Sequence, residues 1–193
     1  MIGAAKQGIP VGIFHFSYAL NIEDVKREAK FVLNLIKNYK ITFPVFYDFE
    51  YDTVNYAKKQ KIVLGKKEFN EFSIAFLNII EKAGYTPGIY YNLDYYNRYV
   101  DTSKVGKYCF WYAHYTTNPT LKNYDLWQYT ETGRLAGFNK NFDINIMKQE
   151  MWDKFVGKNP IPKEEPSNII IGEDEEEMTQ ERFNEMMNAW IEQ

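Results

Sequence analysis

The chain has 193 residues, 45% of them hydrophobic, which is enough for one domain with a sizeable core plus an appendage. A single cysteine, Cys109, excludes an intramolecular disulfide and a cysteine-based zinc cage, and two histidines argue against a histidine-rich metal site, so no metal or cofactor is expected. The net charge of −3 combines a mildly basic stretch over 1–157 with an acidic one over 158–193; the basic residues are scattered, so no nucleic-acid partner is expected, and no apolar run is long enough for a membrane span.

Residues 1–7 read as the last turns of a helix, stopped at Gly8 with Pro10 just beyond. A strand follows over Val11–Tyr18. Asn21 then suits an N-cap for a helix through about Tyr39, with Val25, Ala29, Val32, Leu33 and Ile36 on one face. The aromatic and β-branched run Phe43–Phe49 reads as a strand carrying two acids, Asp48 and Glu50. Strand alternation turns both the same way, together with Phe46. At roughly 3.3 Å per residue their Cα atoms lie about 6–7 Å apart, a spacing suited to paired-carboxylate chemistry on a sugar. Taken alone, the motif fits equally well an edge strand whose acids face water.

The polar segment from Asn55 to Lys67 reads as a long loop with some helical content. Phe69, Phe72, Phe76, Ile80 and Ala83 mark a second amphipathic helix closed by Gly84. Pro87–Asn92 is a third strand, followed by a short helical or irregular piece through Val105. Cys109–Tyr115, Tyr124–Thr130 and Asn141–Ile146 complete six strands, the last three without room for full helices between them. Strands alternating with helices, then strands alone, predict an α/β protein: a modified, TIM-like β/α barrel with a helix-poor second half. Chemistry in such barrels sits at the carboxyl ends of the strands, which here carry Ser17, Asp48, Glu50, Asn92, Tyr115, Tyr129, Asp143 and Asn145.

The barrel domain is thus expected over 1–157. Pro160, Pro162, Pro166 and the acidic run Glu173–Glu177 predict a solvated linker over 158–178 rather than a calcium site. From Thr179, an apolar stripe of Phe183, Met186, Met187 and Trp190 predicts a helix over 179–193, too short to be stable alone in water. Aromatics make up 18% of the chain and serve either as core or as flat platforms for sugar rings.

Six stretches in order carry a family resemblance: Gly8-Ile-Pro-Val-Gly-Ile-Phe-His-Phe-Ser-Tyr-Ala19, Asp48-Phe-Glu50, Gly84-Tyr-Thr-Pro-Gly-Ile-Tyr-Tyr-Asn92, Phe110-Trp-Tyr-Ala-His-Tyr115, Leu126-Trp-Gln-Tyr-Thr130 and Phe142-Asp-Ile-Asn145. Over 8–146 the chain resembles the glycoside hydrolase family 25 lysozymes, common as phage endolysins. The resemblance implies a modified β/α barrel and hydrolysis of the β-1,4 bond between N-acetylmuramic acid and N-acetylglucosamine in peptidoglycan glycan strands. It implies Glu50 as general acid, an ionised Asp48 that steadies positive charge on the ring, and Asp143 as a third acid. The nucleophile is left open between a carboxylate and the substrate's own N-acetyl group.

Candidate substrate contacts are His15, Tyr18, Tyr51, Tyr90, Asn92, Trp111, Tyr115, Trp127, Tyr129 and Asn145. The 179–193 helix resembles the start of small C-terminal modules appended to such enzymes.

The family opens with two strands, the first bearing an Asp-x-Ser acid, before the helix that leads to Gly-Ile-Pro. Met1 falls inside that helix, so the resemblance implies an N-terminally truncated barrel and weak or no lysis by this chain alone, with self-association or a complementing N-terminal segment as the candidate partner. The alternative is a catalytically impaired wall-binding or partner-dependent fragment; a third reading is a glycosidase for another N-acetylated polymer such as chitin. No secretory signal pattern is visible. The expected location is the host cytoplasm before release to the wall, as for phage enzymes, or outside the cell.

Overall fold

The computed structural model describes residues 1–157; the linker expected over 158–178 and the helix expected over 179–193 lie outside them. Helix α1 (Ile2–Lys6) ends as expected at Gly8, whose φ of +64° lets Ile9 N close the turn on Ala4 O at 2.9 Å. Strand β1 is confined to Ile13–Phe16. Helix α2 (Ile22–Ile36) starts at Asn21, whose side chain accepts from Asp24 N at 3.0 Å, and buries Val25, Ala29, Val32 and Ile36.

Strand β2 (Val45–Asp48) is wholly buried and stops two residues before Glu50. Glu50 is instead the N-cap of helix α3 (Tyr51–Lys59), with Glu50 N donating to Thr53 Oγ1 at 3.2 Å. Asp48 and Glu50 are therefore not successive same-face positions of one strand. A threonine hydroxyl that satisfies the backbone locally offers a helical start in competition with the sheet. Most of the expected 55–67 loop also gives way, since α3 runs to Lys59 and helix α4 (Lys66–Lys82) begins at Lys66. Polar residues occupy the outer face of α3, while Thr53, Val54 and Ala57 are buried.

Helix α4 buries Phe69, Phe72, Phe76 and Ile80 and is followed by Gly84 at φ +87°. Strand β3 (Pro87–Asn92) leads into the short helices α5 (Leu93–Arg98) and α6 (Thr102–Val105). Strands β4 (Cys109–Ala113), β5 (Leu126–Gly133) and β6 (Phe142–Met147) follow with only turns between them. A short helix absent from the sequence reading, α7 (Gln149–Phe155), buries Met151 and sets Trp152 and Phe155 against Phe43 at 5.9 and 6.1 Å.

The six strands form one sheet in chain order, parallel from β1 to β5 with β6 antiparallel to β5. In a flat sheet β1 and β4 would stand about 14 Å apart, three strand spacings. Yet the rings of Phe14 on β1 and Trp111 on β4 meet at 6.0 Å, and Trp111 Nε1 donates to Asn145 Oδ1 on β6 at 2.8 Å. Contacts across that many strands require the sheet to curl into a half-barrel. Among the described residues, β1 pairs only with β2 and β6 only with β5.

Curling separates two faces. The outer face carries His15, Tyr47, Ile89 and Phe110 in register under the helices, with Phe76 of α4 stacked on His15 at 5.7 Å and tilted against Tyr47 at 4.8 Å. The inner face carries Phe16, Asp48, Tyr90 and Trp111 in the next register row. Chemistry is therefore available on the inner face, at the carboxyl ends of β2 to β5.

Candidate functional site

Asp48 closes β2 on the inner face at 6% exposure, and its Oδ1 has no hydrogen-bond partner among the described residues. Burial, with the charge of Glu50 adding, pushes its carboxyl up to about 8. That shift favours the protonated form, whereas the family resemblance implies an ionised Asp48.

The turn after Asp48 swings Glu50 to the rim of a hollow of about 400 Å³, walled by Tyr51, Tyr90, Asn92, Tyr115 and Glu131 among others. Burial raises the Glu50 pKa, and Asp52, Glu131 and Asp143 raise it further, while a hydrogen bond from Tyr90 works in the opposite sense. Glu131 of β5 lines the same hollow as Glu50, whereas Asp143, exposed on β6, and Asp52 of α3 are not among the residues that wall it. The hydroxyls of Tyr90 and Tyr115 both donate to Oε1 of the buried Gln128, at 3.2 and 3.1 Å. Burial and the surrounding acids hold both tyrosines well above the ordinary phenol range, so they remain neutral donors.

The other predicted contacts divide between the two faces. Tyr51 lies on the hollow wall and donates to Asp94 Oδ2 at 2.8 Å; Asp94 in turn pairs with Arg98 at 2.7 Å. Asn92 also lines the hollow, with its Oδ1 engaged by Tyr95 N at 2.9 Å as the cap of α5. Trp111 and Asn145 bond each other on the inner face, and Trp111 also packs on Phe46 and Tyr90. Tyr18 packs on Phe16 and Tyr56, outside the residues that wall the hollow.

His15, Trp127 and Tyr129 are not brought to the hollow. Phe14 and Phe16 take the inner positions of β1, so His15 points outward, with Nε2 3.2 Å from Glu28 Oε2 and its ring on Phe76. Gln128 takes the inner position of β5, so Trp127 turns outward, donating from Nε1 to His114 O at 2.8 Å and packing on Tyr124 and Tyr129.

Glu131 and Gln128 were missed. The fifth strand was expected to end at Thr130, whereas β5 continues to Gly133. Its register on β6 shifts between Gln128, paired with Asn145, and Thr130, paired with Ile144. The extra residue reverses the alternation, so Glu131 rather than Thr130 turns inward. A continuing β-prone Thr-Glu-Thr was the visible signal for the longer strand; the bulge was not visible.

The curled α/β sheet thus brings Glu50 and Glu131 to one hollow, with Asp48 buried at the end of β2 close behind. Residues 1–138 match the model for glycosyl hydrolases family 25, and the chain belongs to that family. Among solved structures, it is similar to the CTP1L endolysin, whose activity is regulated by a secondary translation product, at 25% identity and a TM-score of 0.60, covering 79% of this chain and 52% of that one. It is also similar to the catalytic domain of endolysin ply40 from bacteriophage P40 of Listeria monocytogenes, at 25% identity and a TM-score of 0.66, covering 81% and 76%. The modular Cpl-1 endolysin, solved with a peptidoglycan analogue, shares the fold at 22% identity and a TM-score of 0.55, covering 72% and 39%. The chain thus spans about half the length of CTP1L. No curated protein matches it.

Proposed function

We propose that the protein is a peptidoglycan hydrolase that cleaves the β-1,4 bond between N-acetylmuramic acid and N-acetylglucosamine, with Glu50 as general acid and Asp48 and Asp143 in support. The observation that carries this reading is Glu50 itself: a half-buried carboxyl at the rim of a sugar-sized hollow, with its pKa raised. A general acid must hold its proton at the working pH, and burial among other acids favours that. Membership of a glycosyl hydrolase family and the endolysin neighbours support the same chemistry.

In this reading Glu50 protonates the leaving sugar oxygen as the glycosidic bond breaks. Asp143 lends negative charge to a ring that becomes oxocarbenium-like. Asp48, buried at the end of β2 two residues before Glu50 with Oδ1 unpaired among the described residues, stands behind the acid in support. Tyr51 and Tyr115 would form the walls against which the sugar rings rest. The test is Glu50→Gln: it removes the transferable proton with little change of shape and should abolish release of reducing ends from peptidoglycan while leaving the thermal melt intact. Mass spectrometry of the products separates a muramidase, which leaves reducing N-acetylmuramic acid ends, from an enzyme acting on chitin.

A second reading, a wall-binding or partner-dependent chain, is favoured by Phe14, 60% exposed on the inner face of β1, and by the pairing of β1 and β6 on one side only among the described residues. A regulatory chain acts on the CTP1L endolysin, which keeps a regulatory role in view. Retention on peptidoglycan without released reducing ends would favour this reading. We place the proposed site of action at the bacterial wall; no helix among the described residues is long and apolar enough to cross a membrane.

A further inference from the structure

One buried polar chain on the outer face takes no part in the chemistry proposed above. Glu28 of α2, 6% exposed, accepts from Ser17 Oγ at 2.7 Å and from Tyr18 N at 2.9 Å, with His15 Nε2 at 3.2 Å. Ser17, fully buried, also accepts from Tyr47 OH at 2.8 Å. A carboxylate costs much to bury, so one held this firmly fixes its partners in place.

Ser17 carries this anchorage to the acid-bearing turn through its backbone. Its N–H donates to Asp48 O at 2.8 Å, and its carbonyl accepts from Thr53 Oγ1 at 2.6 Å. Thr53 Oγ1 in turn accepts from Glu50 N at 3.2 Å. Both ends of Asp48-Phe49-Glu50 are therefore tied to Ser17, the residue just after β1, and Phe49 pins the middle between Phe69 and Phe72.

We infer that Thr53 and Ser17 are positioning residues that hold the Glu50 carboxyl at the rim of the hollow, with Glu28 as their anchor. This deepens the proposed function and rests on it only for the catalytic consequence; the tether itself is a property of the fold. A hydroxyl that donates and accepts at once fits the role where a methyl of the same size does not. A displacement of about 1 Å in an acid's position is enough to cost on the order of 10²-fold in rate.

The test compares Thr53→Val with Thr53→Ser in the full chain. The readouts are the titration of the Glu50 side-chain carboxyl, followed by carbon NMR, and the kcat and KM for reducing-end release from peptidoglycan. The titratable groups facing Glu50 are Asp48 of β2, Tyr51 and Asp52 of α3, Tyr90 of β3, Tyr95 of α5, Tyr115 after β4, Glu131 of β5 and Asp143 of β6, all unchanged in both variants. Thr53→Val should lower the Glu50 titration toward the ordinary carboxylate range as the side chain loosens into water, and reduce kcat at least about tenfold with KM within about twofold. Thr53→Ser should restore both.

A Thr53→Val protein that titrates and turns over like the parent, whatever its melting temperature, overturns the proposal. Should that variant fail to fold, Ser17→Ala, which cuts the anchor but leaves the backbone ties, must shift the Glu50 titration in the same direction or the proposal falls. A parent that releases no reducing ends, while Thr53→Val still moves the titration, leaves the tether standing and refutes the catalytic reading.

Discussion

Tyr90 and Tyr115, from β3 and the segment after β4, deliver their hydroxyls to one oxygen, Oε1 of Gln128, at 3.2 and 3.1 Å. Tyr90 is also within hydrogen-bonding reach of Glu50, where it favours the ionised carboxylate. One phenol thus stands between the candidate acid and the buried amide that organises the wall of the hollow.

Removing that phenol has a predictable sign. The single Tyr90 hydroxyl proton is shared between Gln128 Oε1 and the Glu50 carboxylate, so Tyr90→Phe removes that share and the Glu50 pKa rises further. The proposed acid works protonated, and activity falls as pH rises through its pKa. The alkaline limb of the kcat/KM profile should move to higher pH in Tyr90→Phe; a limb that stays in place or moves to lower pH contradicts the assignment.

Asp48 supplies a prediction independent of activity. Its folded-state value near 8 lies above the ordinary 3.8, so the folded form retains a proton that the unfolded chain releases. The resulting penalty is absent below about pH 4 and grows as pH rises toward 8. Asp48→Asn removes it and should stabilise the fold at pH 7 by roughly 2–4 kcal/mol, the gain shrinking to near zero by about pH 4. Thermal melts across that range test it, and a gain independent of pH would count against the buried neutral acid.

Phe76 is fully buried between His15 and Tyr47, at 5.7 and 4.8 Å. Phe76→Ala should cost about 3–5 kcal/mol in denaturant unfolding, the range for deleting a buried aromatic ring. A loss below about 1 kcal/mol would mean that the helix layer does not rest on this contact.

Trp127 and Tyr115 separate the two faces of the sheet. Trp127→Phe should lose about 1 kcal/mol of stability with its bond to His114 O, yet leave kcat/KM within about twofold. Tyr115→Ala should do the reverse, lowering kcat/KM at least about tenfold with a small change in melting, since half of its surface is exposed at the hollow (51%). Equal kinetic effects from the two would contradict the division of faces.

The order of strands was legible because apolar runs bounded by glycine and proline state it directly, as at Pro87–Asn92 between Gly84 and the Asn92 cap. The helix-poor end of the sheet followed from the short spacing between β4, β5 and β6. What stayed hidden depended on local hydrogen bonds or register. Thr53 captures Glu50 N and starts α3 where alternation predicts more strand. The shift between Gln128 and Thr130 turns Glu131 inward. His15, Trp127 and Tyr129 read as pocket residues because a period of two does not say which phase faces the lumen; Phe14, Phe16 and Gln128 decide that only once the sheet has curled.

The most direct measurement is release of reducing sugar from purified peptidoglycan by the full chain beside its Glu50→Gln variant, with matched thermal melts. The account predicts reducing N-acetylmuramic acid ends from the parent and none above background from the variant. Equal release by both, or release of N-acetylglucosamine ends instead, would contradict it.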